Sequence, residues 1–188
     1  MSFVHSVMLT KIPTRLPEVF LLEPRVFGDE RGFFFESYNQ QAMAEVGITD
    51  AFVQDNHSCS ARNVLRGLHY QIRRPQGKLV RVVEGEILDV AVDLRRSSPT
   101  FGQWEAVNLS GENKRMLWIP VGFAHGFCVI SQKAHVLYKA TDFYAPEQER
   151  TLAWNDPDLR IDWKLDGDPI VSAKDQRGRA FRDAETYD

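Results

Sequence analysis

Arg66 and His69 stand three residues apart inside the apolar run Val64-Leu65-Arg66-Gly67-Leu68-His69-Tyr70-Gln71. Arginine keeps its charge and presents a planar fork that suits a phosphate, whereas histidine takes and returns a proton near neutral pH. Together they point to proton transfer on a phosphorylated ligand. The plainer alternative is a partly buried ring that only donates a hydrogen bond to a carbonyl. Other groups suited to chemistry lie further along. In Lys78-Leu79-Val80-Arg81-Val82-Val83, alternation groups Lys78 with Val80 and Val82, so the lysine either projects among apolar residues or snorkels to water from a strand end. Over residues 86–94, Asp89, Ala91 and Asp93 share one face against Leu88, Val90, Val92 and Leu94, which puts Asp89 in a polar interior or on a solvated surface. Tyr138 shares a face with Val136 and Ala140, either as packed aromatic or as a general acid of pKa about 10.

A second histidine, His125, ends Pro120-Val121-Gly122-Phe123-Ala124-His125, a PxGxxH pattern that resembles the second motif of the cupin superfamily, whose histidine normally ligates a metal. The first cupin motif supplies an HxH pair and a nearby Glu. Here it is broken: Tyr70 and Gln71 follow His69, and no Glu comes before Glu84. A metal would have to recruit His57, His69 and His125 without a local carboxylate, so no metal site and no cofactor are expected.

The elements that must position these groups read as strands. Runs at 31–37, 51–55, 65–71, 78–83, 86–94, 104–109, 115–119, 125–131 and 134–142 are separated by Gly, Pro, Ser and Asn signals. Only residues 38–46 read as helix, capped by Ser37 or Asn39 and closed by Gly47. Glu84-Gly85-Glu86 reads as a tight hairpin, and 97–99 and 110–113 as turns. Without helical crossovers the strands are expected to be antiparallel, and an eight-stranded jelly roll closes them economically, with room for one ligand at its mouth.

At 188 residues, 43% hydrophobic and 26% charged, the chain fits one domain, with residues from about 156 a polar tail or short helices packed on the barrel. A net charge of −3 with interspersed signs gives no field for a nucleic-acid partner. No apolar run approaches the roughly 20 residues of a membrane span, and no signal-peptide pattern opens the chain, so a cytoplasmic protein without a membrane partner is expected. Cys59 and Cys128 make no disulfide framework and read as reduced thiols.

Taken together, these pieces resemble the dTDP-4-dehydrorhamnose 3,5-epimerase family of metal-free cupins over nearly the whole chain. The motifs that carry the resemblance stand in the family's order: Phe27-Gly28-Asp29-Glu30-Arg31-Gly32-Phe33-Phe34-Phe35-Glu36, Phe52-Val53-Gln54-Asp55-Asn56, residues 66–69, Gln76-Gly77-Lys78, Ser98-Pro99-Thr100-Phe101-Gly102, residues 119–127, residues 137–141 and Ser172-Ala173-Lys174-Asp175. The resemblance implies an all-β double-stranded β-helix, a cupin jelly roll with short peripheral helices, that epimerises dTDP-4-keto-6-deoxy-glucose at carbons 3 and 5 in dTDP-rhamnose synthesis. It implies His69 as base, Tyr138 as acid, Asp175 as the carboxylate that orients His69, and Lys78 facing the developing oxyanion. Arg66 would grip the diphosphate. Gln54, Asp55, Asn56, Tyr144, Glu149 and Lys174 match other substrate-contacting positions, as does His125, held by Asp89. Arg31 and Glu36 match positions supplied across a homodimer.

Strict alternation sets Arg66 and His69 on opposite faces, so shared service at one ligand predicts a bulge or twist near Gly67. Three rival readings remain: a mono-epimerase of another deoxysugar route, a metal-dependent cupin oxygenase, which the missing HxH and Glu disfavour, and a non-catalytic sugar-nucleotide binder, which has no need of an acid and a base.

Overall fold

Both rows of the strand at residues 86–93 are buried, Leu88, Val90 and Val92 on one side and Asp89, Ala91 and Asp93 on the other. A strand covered on two faces lies between two layers. The computed structural model describes residues 8–188. Strands β1 (Leu9–Pro13), β2 (Phe20–Pro24), β3 (Phe27–Asp29) and β4 (Gly32–Phe34) precede helix α1 (Gln40–Glu45). Eight strands follow with no helix between them: β5 (Gln54–Ala61), β6 (Val64–Gln71), β7 (Lys78–Glu84), β8 (Glu86–Asp93), β9 (Trp104–Ser110), β10 (Met116–Ile119), β11 (Phe123–Val129) and β12 (Lys133–Ala140). Two short strands, β13 (Glu149–Thr151) and β14 (Ile170–Val171), belong to the closing segment, which also forms 3₁₀ turns at Pro146–Gln148, Asp175–Arg177 and Phe181–Asp183.

One sheet runs β1-β2-β10-β7-β12-β5 and the other β13-β6-β11-β8-β9, with β14 added to β6; β3 and β4 form a separate hairpin. Strands β5 to β12 therefore divide four and four, as an all-β cupin jelly roll requires. Only β14 on β6 pairs in parallel among these named strands.

Three apolar clusters hold the layers. Val80, Val82, Leu117 and Val136 of the first sheet meet Ile87, Leu109, Phe123 and Phe127 of the second between the sheets. Leu88, Val90, Val92 and Cys128 turn the other way, and Leu159, Trp163 and Ala184 of the closing segment cover them. Met43 and Ile48, in and just after α1, cover Leu22, Leu79, Met116 and Trp118 on the opposite outer face. Each fully buried aliphatic or aromatic side chain contributes roughly 1.5–3 kcal/mol.

Several expectations need correction. Glu84-Gly85-Glu86 is no hairpin, because β7 and β8 belong to different sheets; Gly85, at φ +81°, carries the chain across, and a Cβ there would collide with the Lys133 carbonyl. The strand expected at 51–55 begins at Gln54 and runs to Ala61, the one at 31–37 shrinks to Gly32–Phe34, and β1 and β2 were not foreseen. The helix is shorter than 38–46. Asn39 is its cap, with Oδ1 accepting from the Gln41 and Ala42 amides.

Candidate active site

The ladder between β6 and β11 settles the conflict at Gly67. His69 pairs with His125 and Arg66 with Phe127, so three steps on β6 match two on β11. The extra residue shifts the pleat by one, and Arg66 and His69 come to line the same cavity, about 330 Å³, with Val64, Ser172, Lys174 and Asp175 among its other walls. Gly67 holds φ +117°, a region that favours glycine, and a Cβ there would lie 2.6 Å from Gly126 Cα. Gly126 is equally confined, its Cβ position being 2.7 Å from the Arg66 carbonyl oxygen.

Asp175 reaches this strand from the closing segment. Parallel pairing of Ile170 and Val171 with Val64 and Leu65 anchors that segment to β6, and the Ser172 Oγ accepts the Asp175 amide at 3.1 Å. Asp175 Oδ1 then lies 2.6 Å from His69 Nε2, while its Oδ2 accepts the Gly67 amide at 3.3 Å. Burial pushes the Asp175 carboxyl up, but the bond and charge of His69, with Gly67 and Ser172, outweigh it and hold the group below its ordinary value. An ionised Asp175 draws the imidazole proton to Nε2 and leaves the Nδ1 lone pair as the basic site.

The facing sheet supplies Lys78 and Tyr138. Lys78 continues the inward row of Val80 and Val82, and its Nζ donates to the His69 carbonyl at 3.3 Å across the barrel. Burial pushes its pKa down to about 8, against the upward pull of Asp89 and Glu149. Tyr138, directly opposite Asn56 on β5, lines a second recess with Gln54, Asn56, Gln76, Tyr144, Glu149 and Lys174. Lys174 belongs to the walls of both recesses. Burial and the Glu149 charge raise the Tyr138 pKa, Arg66 opposing them, so the phenol keeps its proton near neutral pH.

Beside His69, His125 Nε2 lies 2.5 Å from Asp89 Oδ1 in the interior. Asp89 Oδ2, Asn56 Nδ2 and Ser58 Oγ are buried without a hydrogen-bond partner among the described residues. Such an atom costs roughly 1–3 kcal/mol when left unpaired, so each has hydrogen-bonding capacity to offer a polar partner. Ser58 and Ser60, whose Oγ accepts from Arg66 Nε at 3.0 Å, escaped the sequence reading. In the structure the row Gln54, Asn56, Ser58 and Ser60 is more buried than its neighbours Asp55, His57, Cys59 and Ala61; in the sequence its one trace is the two-residue repeat of small or amide polar side chains.

The remaining residues separate into two groups. Gln54 Oε1 accepts the Tyr144 amide at 2.9 Å and its Nε2 donates to Asn56 Oδ1 at 3.0 Å, while Glu149 receives both the Tyr144 hydroxyl and Lys174 Nζ at 2.9 Å. Asp55 instead faces outward and binds Lys139 Nζ at 3.0 Å. Arg31, paired with Asp29, and Glu36, bonded by Asn39, are exposed and do not line the recesses around His69 and Tyr138. His57 is also outside, its Nε2 3.0 Å from His135 Nδ1. Among the described residues, no group of three or more His, Cys, Asp or Glu side chains is arranged to hold a metal ion.

Residues 13–183 match the family model described as dTDP-4-dehydrorhamnose 3,5-epimerase. The dTDP-4-dehydrorhamnose 3,5-epimerase of Pseudomonas aeruginosa is 65% identical over 173 residues, 92% of this chain and 96% of that protein. A crystal structure of dTDP-6-deoxy-D-glucose-3,5-epimerase from Legionella pneumophila, in complex with dTDP-4-keto-L-rhamnose, superimposes with a TM-score of 0.92 at 52% identity, covering 94% of this chain and 95% of that one. A 3′-monoepimerase from Streptomyces bikiniensis, in complex with dTDP-quinovose, gives 0.85 at 31% identity, covering 91% and 87%.

Proposed function

The chain belongs to the dTDP-4-dehydrorhamnose 3,5-epimerase family and is an isomerase, and from that premise we propose that it inverts carbons 3 and 5 of dTDP-4-dehydro-6-deoxy-D-glucose with His69 as base and Tyr138 as acid. The product is dTDP-4-dehydro-L-rhamnose. Both carbons flank the same C4 ketone, so one base and one oxyanion partner serve both inversions. His69 Nδ1 takes the α proton, the C–H electron pair becomes the enolate double bond, and the carbonyl oxygen gains charge opposite the Lys78 ammonium. Asp175 stabilises the imidazolium as it forms. Tyr138 delivers a proton to the other face of the carbon, and solvent resets both groups.

One observation carries this reading: His69 and Tyr138 project from facing sheets, so a ring held between them meets the base on one face and the acid on the other. Arg66 grips the diphosphate, while Gln54, Asn56, His125, Tyr144, Glu149 and Lys174 hold the rest of the substrate; Asp55, turned outward to Lys139, takes no part in that recess. The reaction uses no metal or redox cofactor. The enzyme acts as one cytoplasmic domain that pairs as a homodimer, with Arg31 and Glu36 reaching the neighbouring site. The exposed Phe33 and Phe34 of the β3–β4 hairpin support such pairing. No helix among the described residues is long and apolar enough to cross a membrane.

Solvent deuterium tests the proposal. Incorporation at both C3 and C5 of the dTDP-4-keto sugar is expected in heavy water, and Tyr138→Phe should impair inversion more than exchange. Exchange at one carbon would instead identify a mono-epimerase, the activity named for the Streptomyces bikiniensis protein. No exchange at either carbon, or stoichiometric iron or manganese whose chelation abolishes activity, would overturn the enolate mechanism.

A further inference from the structure

We propose that Ser60 is a positioning residue that aims the Arg66 guanidinium at the ligand, an inference that rests on the assignment of Arg66 to the diphosphate. Ser60 is buried on the inward face of β5, just before the turn into β6. Its Oγ accepts from Arg66 Nε at 3.0 Å. Nε is the guanidinium donor that stands apart from the two terminal nitrogens, so fixing it sets the plane of the fork and leaves four N–H groups free for a ligand.

The charge around Arg66 agrees with this. Among the described residues the bond to Ser60 is the one side-chain hydrogen bond that Arg66 makes, and no carboxylate pairs with it. Lys174, the other cation of that cavity wall, is already bound by Glu149 at 2.9 Å. Arg66 therefore offers an anion its full charge. A neutral hydroxyl orients the guanidinium without cancelling that charge, whereas a carboxylate in its place would compete with the phosphate. Holding the long side chain before the ligand arrives also reduces the rotamer freedom lost on binding.

The test is a double-mutant cycle on the full enzyme, read as KM and kcat for the dTDP-4-keto sugar. Ser60→Ala should raise KM about tenfold, the scale of a lost hydrogen bond to a charged group, and change kcat by less than about twofold. Ser60→Thr, which keeps the acceptor, should restore KM. Ser60→Cys keeps the volume with a weak acceptor, should reproduce Ser60→Ala, and serves if the alanine variant does not fold. In an Arg66→Ala background Ser60→Ala should add nothing, since its effect passes through Arg66. Fully multiplicative effects, or a silent Ser60→Ala beside a damaging Arg66→Ala, would overturn the positioning role alone. An Arg66→Ala enzyme with unchanged KM would overturn the diphosphate assignment beneath it.

Discussion

His69 and His125 lie directly opposite each other on β6 and β11, and each bonds a buried aspartate through Nε2, at 2.6 Å and 2.5 Å. Their surroundings differ. The His69 side chain is 25% exposed and lines a cavity, whereas His125 is 7% exposed with Asp89 wholly buried. Burial pushes the His125 pKa down, the Asp89 charge and bond opposing it and the Lys78 and His69 charges adding to it. A histidine bonded to a carboxylate is thus not by itself a base: how strongly burial opposes its charged form decides as well. His69 lines the cavity and can meet a ligand there, while burial opposes the charged form of His125.

The strongest way to break this division is to remove each ring in turn. His69→Asn should reduce solvent exchange by about 10³-fold, within the span of a positioned acid or base. His125→Asn should reduce it by only about tenfold, a loss of binding geometry. An equal collapse of exchange in a folded His125→Asn protein would put the two histidines in one role.

Lys78 sharpens the same contrast, because it bonds the His69 carbonyl and lowers His125 through its charge. With its pKa near 8, the ammonium is lost as pH rises, so the rate should fall through about pH 8. Lys78→Met should reduce kcat by about 10²-fold, as loss of an oxyanion partner does. The same change should stabilise the fold. The shift from 10.5 to about 8 corresponds to a cost on the order of 3 kcal/mol for keeping the lysine charged in the native state. In the wild type the unfolded chain binds more protons between pH 8 and 10.5, so stability should rise across that window, and urea unfolding of both proteins would measure it. A Lys78→Met protein no more stable than the wild type would show that the ammonium is well solvated.

The smallest effect belongs to His125. Its native pKa lies below the ordinary 6.5, so the unfolded chain takes up the proton first as pH falls. Stability should decline below pH 6.5, by at most about 1.4 kcal/mol per unit for one group. Thermal melts at pH 7 and pH 5 should show a weaker decline in His125→Asn. An identical decline would mean that His125 is not held neutral.

Most of the barrel could be read from alternation, because β6 to β12 carry apolar residues on at least one face. The failures have causes. Strand β5 was misplaced since Gln54, Asn56, Ser58 and Ser60 turn inward toward the polar interior, which removes the usual apolar row. On β8 the apolar row Leu88, Val90 and Val92 faces out, beneath the closing segment, and the inward row contains Asp89, so neither face announced its direction. Gly85 looked like a hairpin because local turn chemistry does not reveal which sheet the next strand joins. Of the site, the Arg66 and His69 spacing was visible and so was the need for a bulge. The bond between His69 and Asp175 spans 106 positions, which no local period encodes; only family resemblance pointed to it.

The contact between Gly67 and Gly126 has a practical consequence for redesign. With 2.6 Å between a Cβ at Gly67 and the Gly126 Cα, neither position can take a side chain unless the backbones part. A library that randomises Gly67 or Gly126 would therefore spend its members on chains in which β6 and β11 are forced apart at this crossing. Variation aimed at other 4-keto sugars belongs on the opposite wall, at Asn56, Ser58 and their neighbours on β5, where side chains can be exchanged while the crossing that aligns Arg66 and His69 stays fixed.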